Sequence, residues 1–333
     1  MPAPCAIICL GTDPNPASLG SLQDQRTDCT VFVAHQARTQ EAQALDETTG
    51  AMRIARWKFF RPISFAERMN RLLSLAFTRW EHEDLNTCFI CFLDGDAVLA
   101  PGALDTAIDI LRTDMTLGGV CPVLLDRVSL QNDDMDQRVF ENTDRVQSAG
   151  YTLTGQRTWV PLYAGADVHE VPIVPAYVFG GDGRCAVFRA SVLYRACVQN
   201  QLFFSWILPE HAWFELYWRL RWMGERFLCS PHVHGWMYTR PVSARDRART
   251  VWMTRSVRAL HDPFALRMRT VPTLMYRSMR VLLKVIVHPS CLLVWVRSWS
   301  DVVPRFRFYH ALRQLHRVST LVAKSWFTEQ KTS

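Results

Sequence analysis

Short apolar runs alternate with segments of helical periodicity in the first third of the chain. Ala6–Leu10 and Cys29–Val33 have the length of buried strands, and Ala17–Gln25 between them has a helical pattern. A strand, a helix and a second strand at this spacing indicate a βαβ unit with parallel strands. The pattern therefore predicts an α/β fold.

The next part of the chain has the pattern of a helix, a strand and a second helix. Ser64–Trp80 has apolar residues at helical intervals, Cys88–Leu93 is continuously apolar, and Pro101–Leu111 predicts another helix with a proline in its first turn. Asp94 comes directly after the apolar run. Because ligands of open α/β sheets usually bind beyond the carboxyl ends of the strands, we expect a site near Asp94.

The remaining elements are predicted from shorter patterns. The polar and acidic stretch Asp126–Asp144 predicts a surface loop. Val171–Phe179 and Cys185–Phe188 predict two strands around a glycine-rich turn at residues 180–183. Trp213–Gly224 predicts a helix that ends at its glycine.

Composition adds the class of protein and its expected compartment. The chain has 333 residues, of which 49% are hydrophobic, enough for one large domain with an extension. Its ten cysteines lie mostly in apolar runs and are expected to be reduced core residues. No basic leader precedes the short apolar stretch at residues 6–10, so we expect a cytoplasmic protein.

Charge divides the chain near residue 240. Residues 240–333 contain 18 Lys and Arg against 4 Asp and Glu, whereas residues 1–239 contain 20 against 27. The net charge of +7 therefore combines about −7 before the boundary with +14 after it. We expect a folded domain over residues 1–240 and a basic amphipathic helical region over residues 241–333.

The basic region favours an anionic partner. Its longest uncharged run, Val285–Val296, contains His288 and Pro289 and is too short to span a bilayer. A basic amphipathic helix instead predicts binding to the inner face of the membrane, with tryptophans at the interface. Packing of these helices on the domain is the alternative. No recognition motif accompanies the charge, so we do not expect nucleic acid as a partner.

The candidate chemistry centres on Asp94 and Asp96, which flank Gly95. Two carboxylates at a strand end suit Mg²⁺ or Mn²⁺, which commonly bridges one or two carboxylates to a diphosphate. The alternative is that both aspartates face water at the start of a helix. A calcium loop is excluded because Val98 and Ala100 occupy ligand positions, and a P-loop is excluded because no Gly-Lys-Ser/Thr triplet exists.

The run Phe89–Leu104 resembles the centre of family 2 glycosyltransferases, in which an apolar strand ends in Asp-x-Asp before a proline and a helix. Weaker similarities follow in the family's order, some of them to its rhamnosyltransferase-like members. They lie at Asn15–Gln25, Arg68–Asn70, Val146–Gly150, Gly183–Arg189, Glu215–Gly224 and Pro231–His234. The resemblance covers roughly residues 4–240 and implies a GT-A fold, a Rossmann-like mixed sheet.

The resemblance also implies roles for single residues. Asp96 and Asp94 are the expected metal ligands, and His234 is a further candidate ligand. Candidates for contacts to the nucleotide are Asp94, Asp96, Thr12, His35 and Asn70. His35 stands where the family tends to have an aspartate that holds the nucleobase, which leaves the choice of donor open.

The catalytic base is where this chain departs from the family. The family has a Glu-Asp pair six residues before an arginine of its last helix, and here those positions are Ala212 and Trp213. Glu215 is the first candidate for a displaced base, with Glu210 and His211 as substitutes. Loss of the base would leave a protein that binds a nucleotide-sugar or glycan without turnover.

The resemblance therefore predicts a metal-dependent hexosyl transfer of the inverting type. The donor would be a UDP- or dTDP-linked sugar, and the acceptor a lipid-linked or cell-envelope glycan. The enzyme would act as a peripheral protein at the membrane surface.

Overall fold

The computed structural model describes residues 4–11, 16–36, 46–49, 52–130, 139–154 and 159–238. The α-helices of these ranges are α1 (Pro16–Gln23), α2 (Phe65–Arg79), α3 (Ala103–Thr113), α4 (Ala190–Ala196) and α5 (Pro209–Trp222). The strands are β1 (Cys5–Cys9), β2 (Cys29–Gln36), β3 (Asp46–Thr49), β4 (Met52–Phe59), β5 (Phe89–Leu93), β6 (Ala97–Leu99), β7 (Leu117–Leu130), β8 (Val139–Ser148), β9 (Tyr151–Leu153), β10 (Trp159–Pro161), β11 (Ala176–Val178), β12 (Cys185–Arg189) and β13 (Arg226–Tyr238).

One large mixed sheet organises the described residues. Its order is β11-β13-β7-β12-β5-β1-β2-β4-β3, with β6 on β13 and β8 on β7. Strands β5, β1, β2 and β4 are parallel, whereas β12 is antiparallel to both of its neighbours. The predicted α/β class with a mixed sheet is confirmed.

Helices cover both faces of the sheet. On one face, called the α5 face here, Ile8, Phe92 and Phe188 pack with α2, α4 and α5. On the other, called the α3 face, Ile7 and Leu93 pack with α1 and α3. Strands β1 and β5 are buried on both faces, which explains their unbroken apolar sequences.

The predicted helices form within a few residues of their expected ends. Helix α2 begins after Ser64, whose side chain accepts a hydrogen bond from the Glu67 N–H. Its buried residues follow the helical stripe seen in the sequence: Ala66, Met69, Leu72, Leu73 and Ala76. Helix α5 begins four residues earlier than predicted, with Pro209 in its first turn.

The prediction of a loop over Asp126–Asp144 is wrong at both ends. Strand β7 continues to Leu130, and β8 begins at Val139 as its antiparallel partner. Only the part nearest the core buries apolar side chains, as at the pair Leu125 and Val146. The polar ends of this pair are held by backbone pairing, which composition does not reveal.

The strand predicted over Val171–Phe179 is much shorter in the structure. Only Ala176–Val178 pairs with β13. Pro172 and Pro175 lack the N–H that a ladder needs, and Ile173 is 77% exposed. The apolar letters therefore belong to an exposed segment rather than to a buried strand.

The described cysteines are free thiols, and all except Cys197 are buried, as expected for reduced core residues. Among the helices described, none is both long and apolar enough to cross a membrane. The predicted basic region at residues 241–333 and the candidate residue Thr12 lie outside the described residues.

Candidate active site

A tight turn carries the two aspartates beyond the carboxyl end of β5. The Asp96 N–H donates to Asp94 Oδ1 at 3.1 Å, and the Ala97 N–H donates to the Asp94 carbonyl at 3.0 Å. Both aspartates are half-buried. Burial raises the pKa of Asp94, and the charges of Asp96 and Asp182 raise it further, against hydrogen bonding and Arg184, which lower it.

Helix α1 fixes the segment that follows this turn. Ser21 Oγ accepts the Leu99 N–H at 3.2 Å. The Gln25 amide donates to the Ala100 carbonyl at 3.1 Å and accepts the Leu104 N–H at 2.9 Å. Ser21 of α1 and Gln25, two residues after the helix, therefore support the segment that follows the acidic turn, which explains why these polar residues are buried.

An ion pair lies beside Asp94 on the neighbouring strand. The Asp94 N–H donates to the Arg184 carbonyl at 2.7 Å, which makes the two residues neighbours across β5 and β12. Arg184 Nε donates to Asp182 Oδ1 at 2.9 Å, and Nη2 donates to Oδ2 at 2.7 Å. This two-point pairing fixes the guanidinium plane next to the acidic turn.

Asp182 is almost fully buried, with 9% of its surface exposed. Burial by itself would raise the pKa of Asp182, but the charge and hydrogen bonds of Arg184 outweigh it, so that the pKa is lowered. The Tyr151 hydroxyl also donates to Asp182 Oδ2 at 3.4 Å. Asp182 is therefore an ionised anchor for Arg184, whose side chain remains 35% exposed.

The glycines around Asp182 let the chain pass against α5. A Cβ on Gly183 would lie 1.8 Å from Trp213 Cδ2, and one on Gly180 would lie 2.5 Å from Tyr217 Cγ. No side chain fits at either position, because both rings belong to the buried core. The glycine-rich turn predicted at residues 180–183 is thus required by close packing.

Arg68 of α2 supplies a second cation at the same edge of the sheet. Its Nη2 donates to the Leu10 carbonyl at 2.7 Å, beyond the end of β1. Burial lowers the pKa of Arg68, while the charge of Asp94 acts in the opposite direction. Its Nε is buried and has no hydrogen-bond partner among the described residues.

The predicted metal ligands are only partly brought together. Within the described ranges, no three His, Cys, Asp or Glu side chains are close enough to hold a metal ion. Asp94, Asp96 and His234 thus do not form such a cluster by themselves, and their role as metal ligands stays a prediction. His234 is the first residue of β13 to pair with β7 after a bulge, and its ring packs edge-on to Trp236. Burial lowers its pKa.

Asn70 bonds to the backbone between α4 and α5. Its Nδ2 donates to the Phe203 carbonyl at 2.7 Å, and its Oδ1 accepts the Leu202 and Phe203 N–H groups, each at 2.9 Å. These three bonds hold that segment against α2. Asn70 therefore has a structural role, and its contact with the nucleotide stays a prediction.

Glu215 is also committed to structure. It is 1% exposed, and its two oxygens accept from Arg219 Nε at 3.2 Å and Nη2 at 2.8 Å. Arg219 in turn donates to the Ala196 and Leu202 carbonyls. Trp213 packs toward the glycine-rich turn, and Glu215, two residues along the helix, lies on another side of α5. The structure therefore does not support Glu215 as the base.

The other predicted residues are placed as follows. His211 is 3% exposed in the first turn of α5, so it is not at the surface of the site. Glu210 lies in the same turn. His35 is half-buried near the carboxyl end of β2, two strands from β5 at the same edge as Asp94.

The sequence prediction missed Arg68, Asp182 and Arg184 as site residues. The sequence around Arg68 indicates only a helix, because helical periodicity does not tell which end of the sheet a residue approaches. The alternation Asp182-Gly183-Arg184 indicates a turn and the start of a family-like segment, but not an ion pair. Its opposite charges within a glycine-rich turn were the signal that an ion pair would form there.

We expect replacement of Asp182 by asparagine to lower the free energy of unfolding by about 1–3 kcal/mol at neutral pH. This loss is smaller than that expected for a fully buried ion pair, because the Arg184 side chain is partly exposed to solvent. A lowered carboxyl pKa contributes stability that is present above the pKa of the unfolded chain and is lost as the pH falls through the folded pKa.

The difference between wild type and Asp182→Asn should therefore shrink below about pH 4, as measured by urea unfolding across pH. Asp24→Asn is the matched control, because Asp24 is exposed. A difference that stayed constant down to pH 2 would contradict this assignment.

Comparison with known proteins finds solved structures that are similar to this chain, two of which are described here. No protein-family model and no curated protein sequence matches the chain. The chain is similar to the crystal structure of GalNAc-T7 with UDP, GalNAc and Mn²⁺, with a TM-score of 0.48 and 9% identity over 78% of this chain and 48% of that one. It is also similar to the mannosyltransferase PcManGT from Pyrobaculum calidifontis in complex with GDP-Man and Mn²⁺, with a TM-score of 0.44 and 15% identity over 99% of this chain and 88% of that one. The chain spans about half the length of the first of these proteins.

Proposed function

We propose that this protein is a glycosyltransferase of the GT-A type, which transfers a sugar from a nucleoside-diphosphate donor to a glycan or lipid-linked acceptor. A single observation carries the proposal: two carboxylates follow the central strand, and Arg184 and Arg68 lie beside them at the same sheet edge. The family resemblance in the sequence supports the same reaction. We also propose that the donor is a UDP- or dTDP-linked sugar and that the protein acts at a membrane surface.

The residues present fit a divalent cation of the hard, oxygen-binding kind. Mg²⁺ and Mn²⁺ are commonly held by one or two carboxylates and by the phosphates of the substrate, so Asp94 and Asp96 suffice without a third protein ligand. The cation would offset the charge that builds on the departing nucleoside diphosphate. His234 is not needed for this arrangement.

The charges around the turn also suit a donor with a diphosphate. Asp182 is paired with Arg184, so that Asp94 and Asp96 are left with Arg68 as the cation on the β1 side. A bound dication would leave the site with an excess of positive charge. The diphosphate bridge of a nucleotide-sugar would neutralise that excess.

In the proposed reaction, the chain's own residues bind and orient the reactants. Asp96 and Asp94 would hold the cation, and Arg184, whose guanidinium is fixed by Asp182, would donate hydrogen bonds to the phosphates or the sugar. Arg68 approaches from the β1 side. Holding the anomeric carbon in line with an acceptor hydroxyl accounts for much of the rate gain expected of such a site.

We expect Asp96→Asn to weaken Mn²⁺-dependent binding of UDP by about tenfold to a hundredfold. The substitution keeps the size of the side chain and removes the charge that attracts the cation. Isothermal titration calorimetry with UDP, with and without Mn²⁺, measures the effect. Asp109→Asn is the control, since Asp109 is exposed on α3.

Turnover is tested with a panel of UDP-, dTDP- and GDP-linked sugars in the presence of Mn²⁺, by release of the nucleoside diphosphate. Donor turnover that Asp96→Asn left unchanged would overturn the proposed role of the acidic turn. Absence of UDP binding to the wild-type chain, with every other nucleotide also failing, would overturn the proposed function.

A second candidate is a protein that binds a nucleotide-sugar or glycan without turnover. The observation that favours it is the absence of a placed base: Ala212 and Trp213 are buried, and Glu215 is paired with Arg219. Loss of a general base costs about 10²- to 10⁴-fold in rate and leaves binding intact. Thermal stabilisation by UDP and Mn²⁺ without any product from the whole donor panel would favour this candidate.

A further inference from the structure

Aromatic residues line the α5 face of the sheet beside the acidic turn. His234, Trp236 and Tyr238 alternate along β13, and they pair with Val123, Leu125 and Arg127 of β7. Phe140 of β8 packs against Tyr238, with ring centroids 5.3 Å apart. These four rings, of His234, Trp236, Tyr238 and Phe140, are called the aromatic row here. All four residues are half-buried.

Arg127 lies at the end of this row. Its guanidinium carbon is 4.9 Å from the centre of the Phe140 ring, which fixes the position of the cation. Its Nε is buried and has no hydrogen-bond partner among the described residues. Among the described residues, contact with the Phe140 ring therefore holds the guanidinium in place.

The charge of Asp96 acts on Arg127. That interaction would weaken if Asp96 held a divalent cation, because the cation would take up the same negative charge. Arg127 would then be a fixed cation next to the aromatic row, with less attraction to Asp96. An oxyanion is the ligand that a guanidinium in this situation pairs with best.

We propose that Arg127 and the aromatic row form an acceptor subsite for a sugar or sugar-like group that carries an oxyanion, either a carboxylate or a phosphate. The flat C–H face of a sugar ring would pack on the rings of Trp236 and Tyr238, and the oxyanion would accept hydrogen bonds from Arg127. This inference rests on the proposed function, since it assigns the β7 and β13 side of the site to the acceptor. The opposite side, at β1 and β2, is left to the nucleotide.

Binding of small probes to the full chain tests the subsite. Methyl β-glucuronide is compared with methyl β-glucoside, and glycerol 1-phosphate with glycerol, by calorimetry in saturating Mn²⁺. We expect the wild-type chain to bind at least one anionic probe about tenfold or more tightly than its neutral partner. Which pair shows the preference distinguishes a carboxylate from a phosphate.

Variants at Arg127 assign the preference to this residue. Arg127→Gln should remove it, Arg127→Lys should keep part of it, and Arg112→Gln, an exposed arginine at the end of α3, should leave it unchanged. A wild-type chain without preference for either anionic probe, or a preference that survives in Arg127→Gln, overturns the inference. Unfolding curves of each variant separate lost binding from lost fold.

The outcome is separable from that of the proposed function. Titration of the same samples with UDP and Mn²⁺ tests the nucleotide side alone. Absence of nucleotide binding with an intact anionic preference would overturn the proposed function and keep the subsite. Removal of Mn²⁺ is expected to reduce the preference, because Asp96 then competes for Arg127 and repels the probe.

Discussion

Replacing Arg219 by methionine is expected to lower the free energy of unfolding by about 3–5 kcal/mol, the cost of leaving one partner of a buried ion pair uncompensated. Arg219 is fully buried, pairs with Glu215 and donates to the carbonyls of Ala196 and Leu202. Methionine fills much of the space but satisfies none of these acceptors. Urea unfolding at neutral pH, followed by circular dichroism, measures the loss.

Arg195→Met is the matched control for this prediction. Arg195 pairs with Glu225 at 2.7 Å, a similar distance, but its side chain is 60% exposed. Exposed pairs contribute about 0–1 kcal/mol, so the two variants should differ by several kcal/mol. If Arg219→Met cost no more than Arg195→Met, the buried pair would not have the structural role assigned to it.

The same pair decides how activity data on Glu215 are interpreted. A structural Glu215 predicts that Glu215→Gln loses stability and that any remaining turnover keeps the wild-type dependence on pH. A catalytic base predicts lost turnover in a protein of normal stability. The described contacts favour the first outcome.

Gly183→Ala is expected to lower the free energy of unfolding by about 3 kcal/mol or more, at the upper end of the cost of overpacking a core. The new methyl group would lie 1.8 Å from Trp213 Cδ2, and the Trp213 side chain is part of the buried core. The variant would also displace Asp182 and Arg184, which flank the glycine. We therefore expect weaker UDP binding at temperatures where the variant is still folded.

Gly20→Ala provides the control, because nothing lies within 4 Å of a Cβ at that position of α1. An alanine in a helix is favoured over glycine by about 0.5–1 kcal/mol, so this variant should be slightly more stable than wild type. Thermal unfolding of both variants measures the contrast. Equal stability of Gly183→Ala and wild type would contradict the packing of the glycine-rich turn against α5.

The sequence predicts the central elements of the fold well, for a physical reason. Strands β1 and β5 are buried on both faces, so their apolar runs are unbroken, and α2 has one buried stripe. It predicts the ends of β7 and β8 poorly, because those residues are held by cross-strand hydrogen bonds and not by burial. The periodicity of apolar residues indicates which residues are buried. It therefore predicts a paired strand only where that strand is also buried.

The candidate site shows the same division. Asp94 and Asp96 are recognisable because they follow a buried strand directly. The sequence could not tell that Asn70 holds the backbone of residues 202 and 203, or that Glu215 pairs with Arg219, since these contacts depend on how α2 and α5 are placed. A polar residue in a familiar pattern can serve the fold instead of the reaction.

A bulge in β13 determines which residues reach the site. Ser230 pairs with Pro122 and His234 pairs with Val123, so three additional residues are inserted between neighbouring pairs. Before the bulge Phe227 and Cys229 face the α5 side, and after it Met237 faces the α3 side. An even insertion would reverse that order and turn the aliphatic residues toward the site. Whether this short segment has an odd or an even number of residues thus decides which side chains reach the site. A homologue or a redesigned variant would have to keep its length more strictly than its composition.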